Sequence, residues 1–157
     1  MIVQSNLLAT GAGGGSEQWE FNIGLVCDNY LKRFDNAHFS AKQRQSLLDE
    51  FNREKTTLGP GNSKTITLWI NNDGDPWKMM LEPEDIDKCF EDALRAPLEV
   101  AAERIARLSE MKGQLRRVII SGGTSRNHAL QSRLRQLCAD ASLPEPVFTD
   151  ELEIYYE

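Results

Sequence analysis

The residues best placed to do chemistry sit in one short stretch. Val118-Ile119-Ile120 is a wholly apolar run. It leads directly into Ser121-Gly122-Gly123-Thr124-Ser125-Arg126-Asn127, after which Ala129, Leu130, Leu134 and Leu137 recur at helical spacing. Two glycines where a strand ends let a ligand approach the backbone closely, because no Cβ stands in the way. A helix starting there adds unpaired N–H groups and the positive end of its dipole, which suits a phosphate. Ligands of open α/β sheets collect at that same carboxyl edge. The pattern fits a nucleotide or another phosphorylated ligand, although on its own a Gly-Gly after a strand is more often a plain tight turn. Neither a G-x-x-x-x-G-K-[ST] loop nor a G-x-G-x-x-G fingerprint is present, which disfavours an independent P-loop or Rossmann enzyme.

Other reactive residues are scattered. Cys27, Cys89 and Cys138 are an odd number and far apart, and His38 and His128 are as isolated. Neither set has the close pairs of a zinc site or the spacing of a Cys–His nucleophile. The cysteines read as buried thiols and the histidines as surface imidazoles, in the reducing setting of a cytoplasm. A stand-alone transferase using Gly122-Gly123 for a phosphate ester would lack an evident base or nucleophile. The 157 residues carry 18 Lys and Arg against 24 Asp and Glu, a net charge of −6 with no dense basic run, which argues against nucleic acid as a partner. No apolar stretch approaches the roughly 18 residues that would suggest a membrane span. Met1–Ala9 lacks the basic start and long apolar middle of a signal peptide. With 40% apolar residues the chain can build a core.

The elements that must position the Gly-Gly turn follow from periodicity. Ile2-Val3 and Leu7-Leu8-Ala9 form a short strand or an extended lead-in, broken by the glycines from Gly11 to Gly15. Ser16 is placed as the N-cap of a helix over residues 16–34, with Trp19, Ile23, Val26, Cys27, Tyr30 and Phe34 on its stripe. Ser40 caps a second helix carrying Leu47, Leu48, Phe51 and Leu58, with Lys55 near the same face, and Gly59-Pro60-Gly61 ends it. Thr65–Ile70 alternates as a strand, Asp73-Gly74 marks a turn, and Trp77–Leu81 returns as its partner. Pro83 opens a long helix through Ile86, Phe90, Ala93 and Leu94. At Pro97 that helix should kink or split, because a proline removes a backbone donor. Val118-Ile119-Ile120 reads as a strand buried on both faces, and Val147-Phe148 as a last short strand. The fold class is α/β or α+β, without repeats.

In this order the residues resemble the seventy-kilodalton heat-shock chaperone family, within the actin-like ATPase superfamily. The resemblance rests on Val118-Ile119-Ile120-Ser121-Gly122-Gly123-Thr124-Ser125-Arg126-Asn127 as an adenosine motif. It rests also on Arg53-Glu54-Lys55-Thr56-Thr57-Leu58 before a hairpin, similar to the lid-subdomain helix, and on a long helix with Pro97 midway. It spans about Gly11 to Asp150 and implies a partial actin-like ATPase fold. Residues 1–15 would be a lead-in and Gly-rich turn, 16–96 a helical lid subdomain (IIB-like) with its hairpin, and 97–157 a IIA-like segment with the adenosine motif. Gly14-Gly15 would be the pair that introduces the lid's first helix. The alternative places Gly11–Ser16 on the family's second phosphate loop, with Gly11 where the metal-side Asp belongs, and requires a hairpin next.

The resemblance further implies ATP or ADP as ligand, with Mg only in an intact ATPase. Gly122 and Gly123 would lie against the ribose and α-phosphate, Thr124 would add a polar contact, and Arg126 would stack on one adenine face. Lys55 would reach the ribose, and Asp150 would match an acidic nucleotide contact after the last strand. Three positions depart from the family: Asn52 stands where a ribose-bonding Glu is usual, Thr56 replaces an Arg on the other adenine face, and Gly59 replaces a Ser at the adenine edge. Losing the stacking plane and the charge-assisted hydrogen bond would each cost about 1–3 kcal/mol of affinity. The leading expectation is an adenine-nucleotide-binding lobe that does not hydrolyse ATP alone, because phosphate loops and a catalytic lobe would have to come from elsewhere. The alternative is a nucleotide-independent interaction module, docking the missing N-terminal lobe or a nucleotide-exchange partner.

Overall fold

The computed structural model describes residues 14–32, 40–72, 75–110, 113 and 115–148, with the side chains of 70–77 outside the description. Among the described residues, four helices and four strands follow the order α1 (Ser16–Leu31), α2 (Ala41–Glu54), β1 (Ile66–Asn72), β2 (Asp75–Leu81), α3 (Pro83–Ser109), β3 (Val118–Ile120), a 3-10 turn (Gly123–Arg126), α4 (His128–Asp140) and β4 (Pro146–Phe148). The chain is a mixed α/β fold, as its periodicity implies.

Trp19, Ile23, Cys27 and Leu31 recur every fourth residue and give α1 one buried stripe. Trp19 lies at the centre of the core, edge-on to Phe51 of α2 and Phe90 of α3 with ring centroids 5.1 Å away in both cases. Ser40 and Gln43 form a reciprocal capping box at the start of α2: Ser40 Oγ accepts from Gln43 N (3.2 Å) and Gln43 Oε1 from Ser40 N (2.9 Å). Pro83 opens α3, with Glu84 and Asp85 complementing the dipole of its first turn. The main core joins all four helices, the hairpin and β4, through Ile23, Phe51, Leu68, Phe90, Leu130 and Phe148 among others.

β1 and β2 pair antiparallel, Ile66 opposite Leu81 and Leu68 opposite Met79, and these four side chains point into the core. Thr67, Trp69, Lys78 and Met80 therefore share the outer face. β3 and β4 pair parallel through the α4 crossover, Ile120 opposite Phe148. One expectation fails here. Val118-Ile119-Ile120 is not buried on both faces: Ile119 is 59% exposed, since among the described residues only β4 pairs with β3 and only one face is covered.

Candidate functional site

Three segments distant in sequence meet at one place: the Gly14-Gly15 entry to α1, the turn that ends α2, and the 3-10 turn between β3 and α4. Backbone chemistry explains the first junction. A helical carbonyl normally accepts from the N–H four residues on, and Pro97 has none to give Ala93. Gly15 N donates to Ala93 O instead, at 3.1 Å. Gly14 passes so close above it that a Cβ there would stand 2.3 Å from Ala93 O and 3.0 Å from Pro97 Cγ. Pro97 thus neither splits α3, which runs through it as one helix, nor wastes a carbonyl. It creates the point where the glycines dock.

Asn127 makes the second junction. It is 5% exposed and caps α4, its Oδ1 accepting from Leu130 N at 2.9 Å. Its Nδ2 donates to the carbonyls of Lys55 and Leu58, both at 2.7 Å, and His128 N donates to Thr56 O at 3.0 Å. The start of α4 is therefore fastened to the end of α2. This changes the expected role of the α4 dipole, because the N–H groups of His128 and Leu130 in its first turn are consumed here. At the Gly-Gly turn, the N–H groups of Gly122, Gly123 and Thr124 have no acceptor among the described residues.

A polar network makes the third junction. Ser16 N donates to Thr124 Oγ1 at 3.3 Å, Lys55 Nζ donates to Ser16 Oγ at 2.7 Å, and Lys55 also pairs with Glu20 Oε1. Ser16 is therefore not the N-cap expected from sequence. Gly15 occupies that position, and Ser16 is the first helical residue, its hydroxyl turned to Lys55 and Glu20. With its Nζ donating to both groups, Lys55 has the wrong polarity to activate Ser16 as a nucleophile.

Of the residues singled out in sequence, Gly122, Gly123, Thr124 and Arg126 are contiguous on the turn, and Lys55 is joined to Thr124 through Ser16. Gly122 holds φ +125° and ψ 155°, and a Cβ built on either Gly122 or Gly123 meets nothing within 4 Å. The cradle is open. Arg126 is exposed at the end of the turn. Asn52 lies one helical turn before Lys55, but its Oδ1 is buried without a partner among the described residues. Asp150 lies outside the described residues. Gly59 has a structural reason to be glycine: its φ is +126°, and a Cβ would stand 2.7 Å from that of Ala129. A groove of about 480 Å³ reaches the turn from α3, sharing Gly15, Ser121 and Thr124 with it, and continues over Leu94, Leu98 and Leu134.

Sequence reasoning gave Glu20 no role, and it named Ser16 and Asn127 without assigning either to the site. For Asn127 a signal existed, since an Asn immediately before a helical stripe is a cap candidate; nothing local marked Glu20. The three cysteines are buried, free and away from this site. Burial, with help from Asp28, pushes Cys27 up to about 12, and burial with Asp85 and Asp92 pushes Cys89 to about 11. His128 is exposed, and His38 lies outside the described residues. Among the described residues, no three His, Cys, Asp or Glu side chains gather as a metal site would require, and no helix is long and apolar enough to cross a membrane. No protein-family model and no curated protein matches the chain.

Proposed function

We propose that the chain is an adenine-nucleotide-binding lobe of a heat-shock-chaperone-like ATPase, combining a lid-like unit of α1, α2, the hairpin and α3 with a strand–turn–helix segment that carries the nucleoside. The observation that carries this reading is the junction of Lys55 with Thr124 through Ser16, beside two glycines whose Cβ positions are empty. A nucleoside held there would have Gly122 and Gly123 beneath the ribose and α-phosphate, backbone N–H groups of the turn as anion donors, and the Arg126 guanidinium over the base. The exposed Ile119 suits a strand whose other face is covered by a further layer of a larger ATPase fold. Asn52, Thr56 and Gly59 in place of the usual polar contacts make for weak adenine binding. ATP turnover needs clamps on the γ-phosphate and its metal. None of the described residues placed at this site supplies such a clamp, so on this reading the chain binds without hydrolysing.

Calorimetric titration with ADP tests the reading. Heat that vanishes in Arg126→Ala is the expected result, and no heat at millimolar ADP overturns it. Phosphate release from Mg-ATP at the rate of an intact chaperone would overturn the non-hydrolytic part. A second reading, a docking module for a nucleotide-exchange partner or the other lobe, draws on Trp69 and Met80, 52% and 49% exposed on the outer face of the hairpin. Absence of ADP binding would favour it.

A further inference from the structure

Away from the Gly-Gly turn, the free edge of β1 borders a groove. In an antiparallel ladder, alternate residues turn their N–H and C=O groups away from the strand they pair with. Trp69 N donates outward to Glu50 Oε2 of α2 at 2.8 Å, which fixes the alternation. Thr67, two residues earlier, therefore points the same way, and its N–H and C=O have no partner among the described residues. A groove of about 440 Å³ runs along this edge, between Lys64–Trp69 and the α2 side chains Glu50, Arg53 and Glu54. The Glu50 carboxylate stands where the carbonyl of a further strand would accept. The opposite edge of the hairpin is different. By the same alternation Pro76 of β2, paired with Asn71, faces outward there and has no N–H to offer, which blunts that edge.

We propose that the occupant of the β1 edge is a second copy of this chain, with β1 pairing antiparallel to β1 about a two-fold axis through Thr67. The two hairpins then form one four-stranded sheet. Register and charge favour a copy over an unrelated strand. Centred on Thr67, the two Thr67 residues exchange both of their free hydrogen bonds. Trp69 lies opposite the partner's Thr65, whose carbonyl takes over Trp69 N and releases Glu50. The partner's Lys64 arrives at that end of the groove. Lys64 already reaches the helix layer, its Nζ 3.0 Å from Glu54 Oε2, so it enters on the side where Glu50 waits. The two-fold repeats the contact, and each Lys64 meets the other copy's Glu50. On the outer face the exposed Trp69 covers the partner's Thr65. The proposal is independent of the nucleotide reading.

Sedimentation velocity from about 10 µM to about 1 mM, with amide exchange at Thr67 followed over the same range, tests it. Dimer should accumulate with concentration, and exchange at Thr67 should slow in step. Thr67→Pro leaves the β1–β2 ladder intact, because the lost donor faces outward, and should keep the chain monomeric. Lys64→Glu should weaken association by about tenfold or more, by setting like charges together. A chain still monomeric at the highest concentration overturns the proposal and leaves the edge to a strand of another protein. A dimer that survives Thr67→Pro, that Lys64→Glu does not weaken, or in which Thr67 exchange ignores concentration overturns it as well. The exchange measurement needs no variant, so the proposal stays falsifiable should Thr67→Pro not fold.

Discussion

Asn127 is the residue whose replacement says most about how the two walls of the site are joined. Its amide makes three bonds at 2.7–2.9 Å, to the carbonyls of Lys55 and Leu58 and from Leu130 N, in a position 5% exposed. Losing an N-cap costs about 1 kcal/mol. Each amide–carbonyl bond adds about 1 kcal/mol, and more if the abandoned carbonyl stays dry. Asn127→Ala should therefore lose about 3 kcal/mol, and Asn127→Ser, which keeps a capping oxygen, about 2 kcal/mol. For a domain of this size each kcal/mol lowers Tm by roughly 2–4 °C, so the alanine variant should melt about 6–12 °C lower. Urea unfolding of the three proteins orders them Asn, Ser, Ala. ADP titration should show the serine variant weaker than the parent, because α4 is then no longer held to the Lys55 turn. A serine variant as stable as the parent would refute the reasoning. The cap alone would then be the contribution, and the amide would join nothing.

Other expectations follow from the same geometry. Gly122→Ala must force a side chain into φ +125°, ψ 155°, a region only glycine occupies readily, and should lose about 1–3 kcal/mol in denaturation. Gly123→Ala has open space and no such strain, so it should melt normally while blocking ADP; normal ADP binding would show that no ligand approaches there. Pro97→Ala restores a helical donor to Ala93 O in competition with Gly15. The helix gains about 3 kcal/mol in propensity against about 1 kcal/mol for the displaced bond, so stability should rise by about 2 kcal/mol. Amide exchange at Gly15 should meanwhile accelerate and ADP affinity fall, and a loss of stability would contradict this. The Cys27 and Cys89 thiols, raised by burial from 9.0 to about 12 and 11, stay protonated in the folded state while unfolded thiols ionise. The folded protein then holds more protons, so stability is full below pH 9 and falls as pH rises toward 11–12, which urea midpoints across that range would detect.

Much of the fold was legible because periodicity reports burial directly. The α1 stripe, the Ser40 cap, the hairpin and the strand–turn–helix all follow from side chains that must reach one core. The misreadings share a different cause. Ser16 was a fair cap candidate, yet a cap depends on where the preceding backbone goes, and Gly15 docking on Ala93 O takes that role away. Pro97 does not split α3 as one of the two expected outcomes had it, because the carbonyl it leaves unpaired is satisfied by a residue about eighty positions earlier. Ile119 looked interior because an apolar strand does not announce which face its neighbours cover. The Lys55–Glu20 pair could not be read at all, since nothing in either helix alone says that their faces meet.

The division of labour between core and site has a physical consequence. Trp19, Phe51 and Phe90 hold α1, α2 and α3 together through non-directional packing, which tolerates small shifts. The relation of the Gly-Gly turn to Lys55 is set instead by directional bonds: Gly15 to Ala93, Asn127 to Lys55 and Leu58, Ser16 to Thr124. Three of these end on a backbone carbonyl, and the Gly15–Ala93 bond joins backbone to backbone. A site built this way is pre-formed on one side, with its α1, α2 and α4 walls already in register. Binding energy need not be spent bringing Lys55 to the turn, which lowers the ordering cost that otherwise erodes affinity. On the nucleotide reading proposed above, that pre-organisation would offset part of what Asn52, Thr56 and Gly59 do not contribute.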